Sequence, residues 1–317
     1  MAHVIDAIGI FGTLLTTVSF FQDNFATKNP SGATVSIKAG LHDRGNEGDS
    51  LSGSINNIYA FDEVNRYEGE ASGCNINAGG TCTVTVDQRT AAVRAGYISV
   101  SNNNDATCIA WIAVTQYDGT FGGAWTGDIG RACGQRWYKS VEPAGRYKEQ
   151  DGGGEYVPAC TWLDADHTND IAAAALKFDT GAYGENVQDT IGNDACRPTI
   201  FGSDNGPIAA QPGSRKRSSN DRPTWMLEQV IMSNYTSHDA ADLCNSATSW
   251  GPDFVGVDGM FCDMGTKVLT PLCATKDVDG CVEIDENAAT LKKRMNVAER
   301  AADVVHKSYK KVQHWGH

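Results

Sequence analysis

From Cys108 to Gln116 the chain is apolar at nearly every position. Ile109, Trp111, Ala113 and Thr115 alternate with Ala110, Ile112, Val114 and Gln116. Successive side chains of a strand point to opposite faces, so this run predicts a central strand covered on both sides. Asp118-Gly119 suits a tight hairpin turn, and a glycine-spaced return strand carrying Phe121, Trp125 and Ile129 is expected after it. Upstream, short alternating runs at 34–39, 55–61, 64–67, 83–87 and 97–101 are separated by Gly, Asn and Asp. Repeated short strands with such punctuation predict a β-sandwich or jelly roll over residues 31–204. Residues 172–178 read as either a strand or a short helix. A Gly/Pro/Ser-rich stretch, 205–224, predicts an exposed linker. Residues 225–286 then form a cysteine-stapled β subregion, with a short helix begun by Ser237 and a turn at Asp258-Gly259.

Both ends of the chain carry a different period. Val4, Ile8, Phe11, Leu15, Val18 and Phe25 recur at helical spacing and predict an amphipathic helix within residues 1–30. Leu291, Met295, Ala298, Ala302, Val305, Tyr309 and Val312 recur at steps of four and three. That stripe predicts a second amphipathic helix over 287–313, followed by a short tail. Val4, Ile8, Phe11, Leu15, Leu291, Met295, Ala298, Ala302 and Val305 are thus candidates for an interface between copies, or for packing on their own domain. The fold expected is mainly β: a disulfide-stabilised sandwich or jelly roll with an amphipathic helix at each terminus. The first stretch lacks a basic n-region and is interrupted by Asp6, so it does not read as a signal peptide. It is also too polar for a membrane span. For a secreted protein the expectation is that the native signal was removed and Met1 stands in its place.

The chain has 317 residues and a net charge of −13. Such an acidic body repels phosphate backbones and argues against nucleic acid as a partner. The charge is uneven. Residues 287–317 hold seven Lys/Arg against Glu299 and Asp303, a balance of +5, which leaves −18 on the rest. A basic end could dock on its own body or on a neighbour's. Arg215-Lys216-Arg217 and the run ending at Arg294 are candidate processing sites, with Arg217 and Arg294 as the cleaved residues; uncleaved exposed loops are the alternative.

Ten cysteines stand at 74, 82, 108, 133, 160, 196, 244, 262, 273 and 281, and none forms a CxxC pair. An even, dispersed set predicts five disulfides and an oxidising compartment rather than structural zinc. Cys74 with Cys82, and Cys273 with Cys281, can each close a short loop; Cys108, Cys133, Cys160, Cys196, Cys244 and Cys262 leave their pairing open. Asn234-Tyr235-Thr236 is a glycosylation sequon with Asn234 as acceptor.

Three segments, 122–138 (GGAWTGDIGRACGQRWY), 160–166 (CTWLDAD) and 250–273 (WGPDFVGVDGMFCDMGTKVLTPLC), resemble predicted secreted proteins of filamentous fungi. The resemblance runs from about residue 33 to 312. It implies a fungal secretory protein with disulfides, and it carries over no catalytic residue.

Candidate chemistry is sparse. Asp164, Asp166 and Asp170, with Asn169, place hard oxygen ligands along one loop, a pattern that suits calcium. The EF-hand glycine and final glutamate are missing, and a solvated acidic turn is the alternative. The loop 277–285 is a second acidic stretch. His167, beside these carboxylates, is a candidate general base, and paired Asp residues could serve glycoside hydrolysis; a plain surface histidine is the alternative. GxSxG, HExxH and Walker patterns are absent from the sequence. Trp125, Trp137, Trp162 and Trp250 stand within two residues of Gly, Asp or Arg. Rings so placed either stack on sugars or fill the core; Trp125, Trp137 and Trp162 are the carbohydrate-binding candidates. No cofactor is expected apart from the calcium considered above. These features favour a secreted, non-enzymatic protein that is structural, self-assembling, or bound to a cell-wall glycan or host surface. The alternatives are a secreted polysaccharide hydrolase or carbohydrate-binding protein, and an effector that uses the N-terminal helix on membranes.

Overall fold

A computed structural model of the chain describes residues 18–20, 22–42, 51–147, 154–184, 195–210, 222, 224–246, 249–294 and 305–316. Contacts divide the chain into two units, Met1–His42 with Gly48–Ser219, and Asp43–Glu47 with Asn220–His317.

The first unit is built from β1 (Val18–Phe20), β2 (Thr34–Ala39), β3 (Gly53–Phe61), β4 (Tyr67–Ser72), β5 (Asn75–Ile76), β6 (Thr81–Thr85), β7 (Tyr97–Asn102), β8 (Thr107–Thr115), β9 (Phe121–Thr126), α1 (Gly127–Ala132), β10 (Trp137–Tyr138), β11 (Gly145–Tyr147), β12 (Glu155–Tyr156), β13 (Cys160–Leu163), β14 (Ala175–Asp179) and β15 (Thr199–Gly202). One sheet runs β10-β13-β8-β2-β6, with β9 also paired to β8; the other runs β15-β14-β7-β3-β4, with β5 paired to β3. A small third sheet joins β1, β11 and β12. Val35, Ile37, Ile112 and Val114 of the first sheet meet Ile58, Ala60, Ile98, Val100, Leu176 and Phe178 of the second in one core cluster. This is the expected sandwich: each sheet turns its apolar face inward.

All nine residues of β8 are buried, as a central strand requires. Its alternation is not continuous, however. The register with β2 shifts between Lys38 and Ala39, so that Lys38 faces Trp111 while Ala39 faces Ile109. One residue is bulged out, and beyond it the two faces exchange. Ile109 therefore joins Ile112 and Val114 in the core instead of sharing a face with Trp111. At the hairpin, Gly119 adopts φ +88°, and Asp118 accepts hydrogen bonds from the Thr120 backbone N–H (2.9 Å) and hydroxyl (2.6 Å). These bonds hold the Asp118 carboxyl below its ordinary pKa. The return strand ends at Thr126, and Ile129 lies in α1 instead. The helix lies close on β13: a Cβ at Gly130 would come within 2.2 Å of the Thr161 hydroxyl oxygen.

The second unit contains α2 (Thr224–Leu227), β16 (Gln229–Ser233), α3 (Ala240–Asn245), β17 (Asp253–Val255), β18 (Met260–Asp263), β19 (Val268–Pro271), β20 (Val282–Asp285), β21 (Thr290–Lys293), β22 (Val305–Ser308) and β23 (Lys311–Trp315). A five-stranded sheet runs β19-β18-β17-β16-β23, and a three-stranded one runs β20-β21-β22. Val230, Val255 and Phe261 of the first pack with Val282 and Leu291 of the second, together with Tyr309. The N-terminus of α3 is capped from a distance, because the Asp258 carboxylate accepts from the backbone N–H groups of Ala240 (3.2 Å) and Ala241 (3.1 Å).

The terminal helices need correction. Residues 290–293, 305–308 and 311–315 are strands, and β23 lies parallel to β16 with Gln229 opposite Lys311 and Ser233 opposite Trp315. A three-four stripe of apolar residues also fits strands that bury only some of its members. Here the sheet pairing overrides the helical period. Leu291 is wholly buried in its own unit, so it is core and not an interface residue, whereas Val305 is exposed. Met295, Ala298 and Ala302 lie outside the described residues, as do Val4, Ile8, Phe11 and Leu15. Residues 18–20, within the predicted first helix, form a strand paired with β11.

Candidate functional site

All ten cysteines are paired: Cys74–Cys82, Cys108–Cys160, Cys133–Cys196, Cys244–Cys262 and Cys273–Cys281. The two short loops close as expected. Of the others, one staples β8 to β13, one ties the end of α1 to the turn before β15, and one ties α3 to β18. Three bridges lie in the first unit and two in the second.

The acidic loop follows β13. Asp164 is fully buried. Its Oδ2 accepts the Thr168 hydroxyl proton at 2.5 Å, while the Thr168 backbone N–H donates to Asp166 at 3.2 Å. Thr168 thus gathers both carboxyl groups. Burial, with the neighbouring Asp166 carboxyl, pushes the Asp164 pKa up to about 6 against the Thr168 hydrogen bond. His167, Asn169 and Asp170 all have positive φ, and the His167 Nδ1 donates to the Ile171 carbonyl at 3.0 Å. The carboxyls do not assemble into a calcium cage: among the described residues no group of three or more His, Cys, Asp or Glu could hold a metal ion. Asp164 is turned inward to fix the loop, while Asp166 is exposed. His167 is an exposed loop residue that closes a turn.

The carbohydrate-stacking expectation is overturned for all three tryptophans. Trp125 and Trp137 are wholly buried and Trp162 nearly so. Trp125 belongs to the sandwich core, edge-on to Phe201 at 6.4 Å. Trp137 lies beneath the Arg131 guanidinium, 4.2 Å from its ring centroid. The Arg131 guanidinium is thus a packing partner of Trp137 and not a sign of exposure.

Asn234 is exposed, just beyond β16, as a glycan acceptor must be. Arg294 ion-pairs with Asp277, and its backbone N–H donates to the Cys281 carbonyl at 2.8 Å. Arg217 lies outside the described residues.

Three buried polar clusters lie outside the candidates that the sequence offers. The first centres on Asp253, which is 2% exposed. It accepts from Arg222 (2.9 Å), Lys307 (2.8 Å), the Tyr309 hydroxyl (2.8 Å) and the Met264 backbone N–H (2.9 Å). Lys307 also pairs with Asp263 at 2.7 Å. Burial acts to raise the Asp263 pKa, but the Lys307 hydrogen bond and charge and the Thr266 and Gly265 N–H groups outweigh it, so the pKa is lowered. Burial, then Asp253, pushes the Tyr309 hydroxyl far up. The second cluster is Asp128, which accepts from the Tyr156 hydroxyl (2.6 Å) and the Ala159 N–H (3.1 Å). Burial raises both their pKa values. The third is Lys177, buried beside Phe61 and Asn65. A lone Asp or Lys inside an apolar run was the only available hint, and such residues are usually solvated.

No protein-family model matches this chain, and it matches no curated protein. No helix among the described residues is long and apolar enough to cross a membrane.

Proposed function

We propose that the chain is a non-enzymatic extracellular structural protein, self-assembling or bound to a cell-wall or host surface. The observation that carries this reading is where the reactive side chains lie. Asp164, Asp128, Asp253 and Lys177 are buried and hydrogen-bonded to groups of their own unit. They hold strands and loops in place. The rival hydrolase reading needs Trp162 and Asp164 along an open cleft, whereas both side chains are buried. Five disulfides favour an oxidising compartment. The exposed Asn234 and the likeness to fungal secreted proteins favour secretion. Exposed Val305, on edge strand β22, favours contact between copies through an open sheet edge more than through a helical stripe.

Light scattering and negative-stain imaging of the native protein, alongside binding to isolated cell-wall fractions, test this reading. Regular assemblies well above the 33.9 kDa chain, or saturable retention on the wall, are expected. A monomer that ignores the wall and turns over a polysaccharide, with turnover abolished by Asp164→Ala, would overturn it.

A further inference from the structure

Lys177 lies in the middle of β14, between Leu176 and Phe178, which both point into the sandwich core. By strand alternation its own side chain leaves the opposite face of the sheet. There it is fully buried. Its Nζ lies 3.4 Å from the centroid of the Phe61 ring and 5.4 Å from that of Tyr97. Residues 205–210 cover this face. Nζ reaches the Ile208 carbonyl at 2.9 Å, and the Asn56 and Asn65 side-chain amides donate to the carbonyls of Asn205 (3.1 Å) and Ala209 (2.9 Å). The closest partner of Nζ is Asn65 Oδ1, at 2.5 Å. Asn65 occupies the turn after β3 with φ +66°. A carbonyl bond is about 1.23 Å long, so Nζ lies no farther than about 3.7 Å from the Asn65 Cγ. That is close to the approach distance of a reacting pair.

We infer that Lys177 and Asn65 form an isopeptide cross-link with loss of ammonia, tying β14 to the β3–β4 turn across the intervening β7. The neutral amine attacks Cγ through its lone pair, and the carbonyl π pair moves to Oδ1. When the carbonyl re-forms, the Cγ–Nδ2 bond breaks. One proton passes from Nζ to Nδ2, which departs as NH3. The products are a secondary amide and ammonia; no water is consumed, and nothing is oxidised or reduced. The hydrogen bond from Nδ2 to Ala209 turns the leaving nitrogen away from the incoming amine. Burial lowers the amine pKa to about 8, so the nucleophilic form is populated near neutral pH.

Tandem mass spectrometry of a peptide map from the reduced, alkylated full-length protein tests this inference independently of the proposed function. The expected result is one branched peptide joining positions 65 and 177, about 17 Da lighter than its two parts together. It should be absent from Lys177→Arg and Asn65→Ala. If a variant fails to fold, the wild-type map decides alone. Recovery of the two linear peptides overturns the inference and leaves Lys177 as an ammonium that pins residues 205–210. Loss of ammonia with the two peptides still separate overturns it equally, since Asn65 has then merely cyclised.

Discussion

Replacing Asp253 should unfold the second unit selectively. Its carboxylate accepts four hydrogen bonds, two of them from the cations Arg222 and Lys307. Arg222 enters the unit from the residues before α2, and Lys307 comes from β22, so the cluster joins the first and last parts of the unit. Asp253→Ala leaves Arg222 with the Gly251 carbonyl at 3.2 Å and Lys307 with Asp263. Removing one partner of a buried ion pair costs about 3–5 kcal/mol, because the remaining charge stays desolvated. Asp253→Asn keeps the shape and, with its oxygen towards Arg222 and Met264, sets an NH2 towards Lys307 and Tyr309. The Tyr309 hydroxyl can accept from that NH2 but Lys307 cannot, so it should cost about 1.5–3 kcal/mol, the worth of the charge-assisted bond lost. Native-state hydrogen exchange reads this strand by strand. Protection of β16, β17 and β23 should fall by about two to nearly four powers of ten in the alanine variant, and by about one to two in the asparagine variant. Strands β7 and β8 should be unaffected, since every partner of Asp253 lies in its own unit. A loss below about tenfold for Asp253→Ala, or an equal loss in β7 and β8, would refute the reasoning.

Two further predictions concern the first unit. The folded pKa of Asp164, about 6, lies above its unfolded value, so ionising it opposes folding. Its contribution is fully present below about pH 4 and is lost as pH rises through 6. Asp164→Asn should therefore match the wild type near pH 4 and exceed it by about 1–3 kcal/mol at pH 7–8; urea titrations at both pH values check this, and a variant weaker than the wild type at pH 8 would contradict it. Converting both Cys108 and Cys160 to Ser opens a bridge between residues 52 apart; it should destabilise the sandwich by about 2–5 kcal/mol, and a loss below about 1 kcal/mol in the same titration would mean that β8 and β13 hold their register without it.

The sandwich was legible because its strands obey a local rule. Residues 34–39 and 108–115 alternate or stay apolar, and strands in the structure cover nearly the same positions. The bulge opposite Lys38 was not legible, since it depends on which strand pairs with β8 and in what register. The C-terminal stripe misled for a related reason. Leu291, Tyr309 and Val312 recur as on a helix, yet Leu291 and Tyr309 reach one core from separate segments. The short disulfide loops were readable from separation alone, while Cys108–Cys160 needed two strands to be adjacent. Among site residues, the tryptophans were misjudged from their polar neighbours. Arg131 illustrates why: from the last turn of α1 its guanidinium lies over Trp137, six residues on in β10. A charged residue near an aromatic in sequence can be its cover as easily as a mark of solvent.

Lys177 shows the same limit from the other side. In β14 its flanking residues alternate as in a one-sided strand, so Lys177 should face water. Instead residues 205–210 lie over that face, although their own sequence, rich in Gly, Pro and small residues, reads as a linker. The hydrogen bonds that hold them there run from Asn56, Asn65 and Lys177 to their backbone carbonyls. Any extended segment of suitable shape offers those carbonyls, so a sequence pattern cannot single this one out. The receiving side chains are specific, and until the amine is consumed in the cross-link, a Lys177 buried among aromatic rings is stable only while its acceptors remain in place. The same requirement recurs at Asp253, where Arg222, Lys307 and Tyr309 must all be present for the carboxylate to stay buried. Each unit therefore ties an irregular segment to its sheet through a buried polar side chain, Lys177 over residues 205–210 in the first and Asp253 with Arg222 in the second.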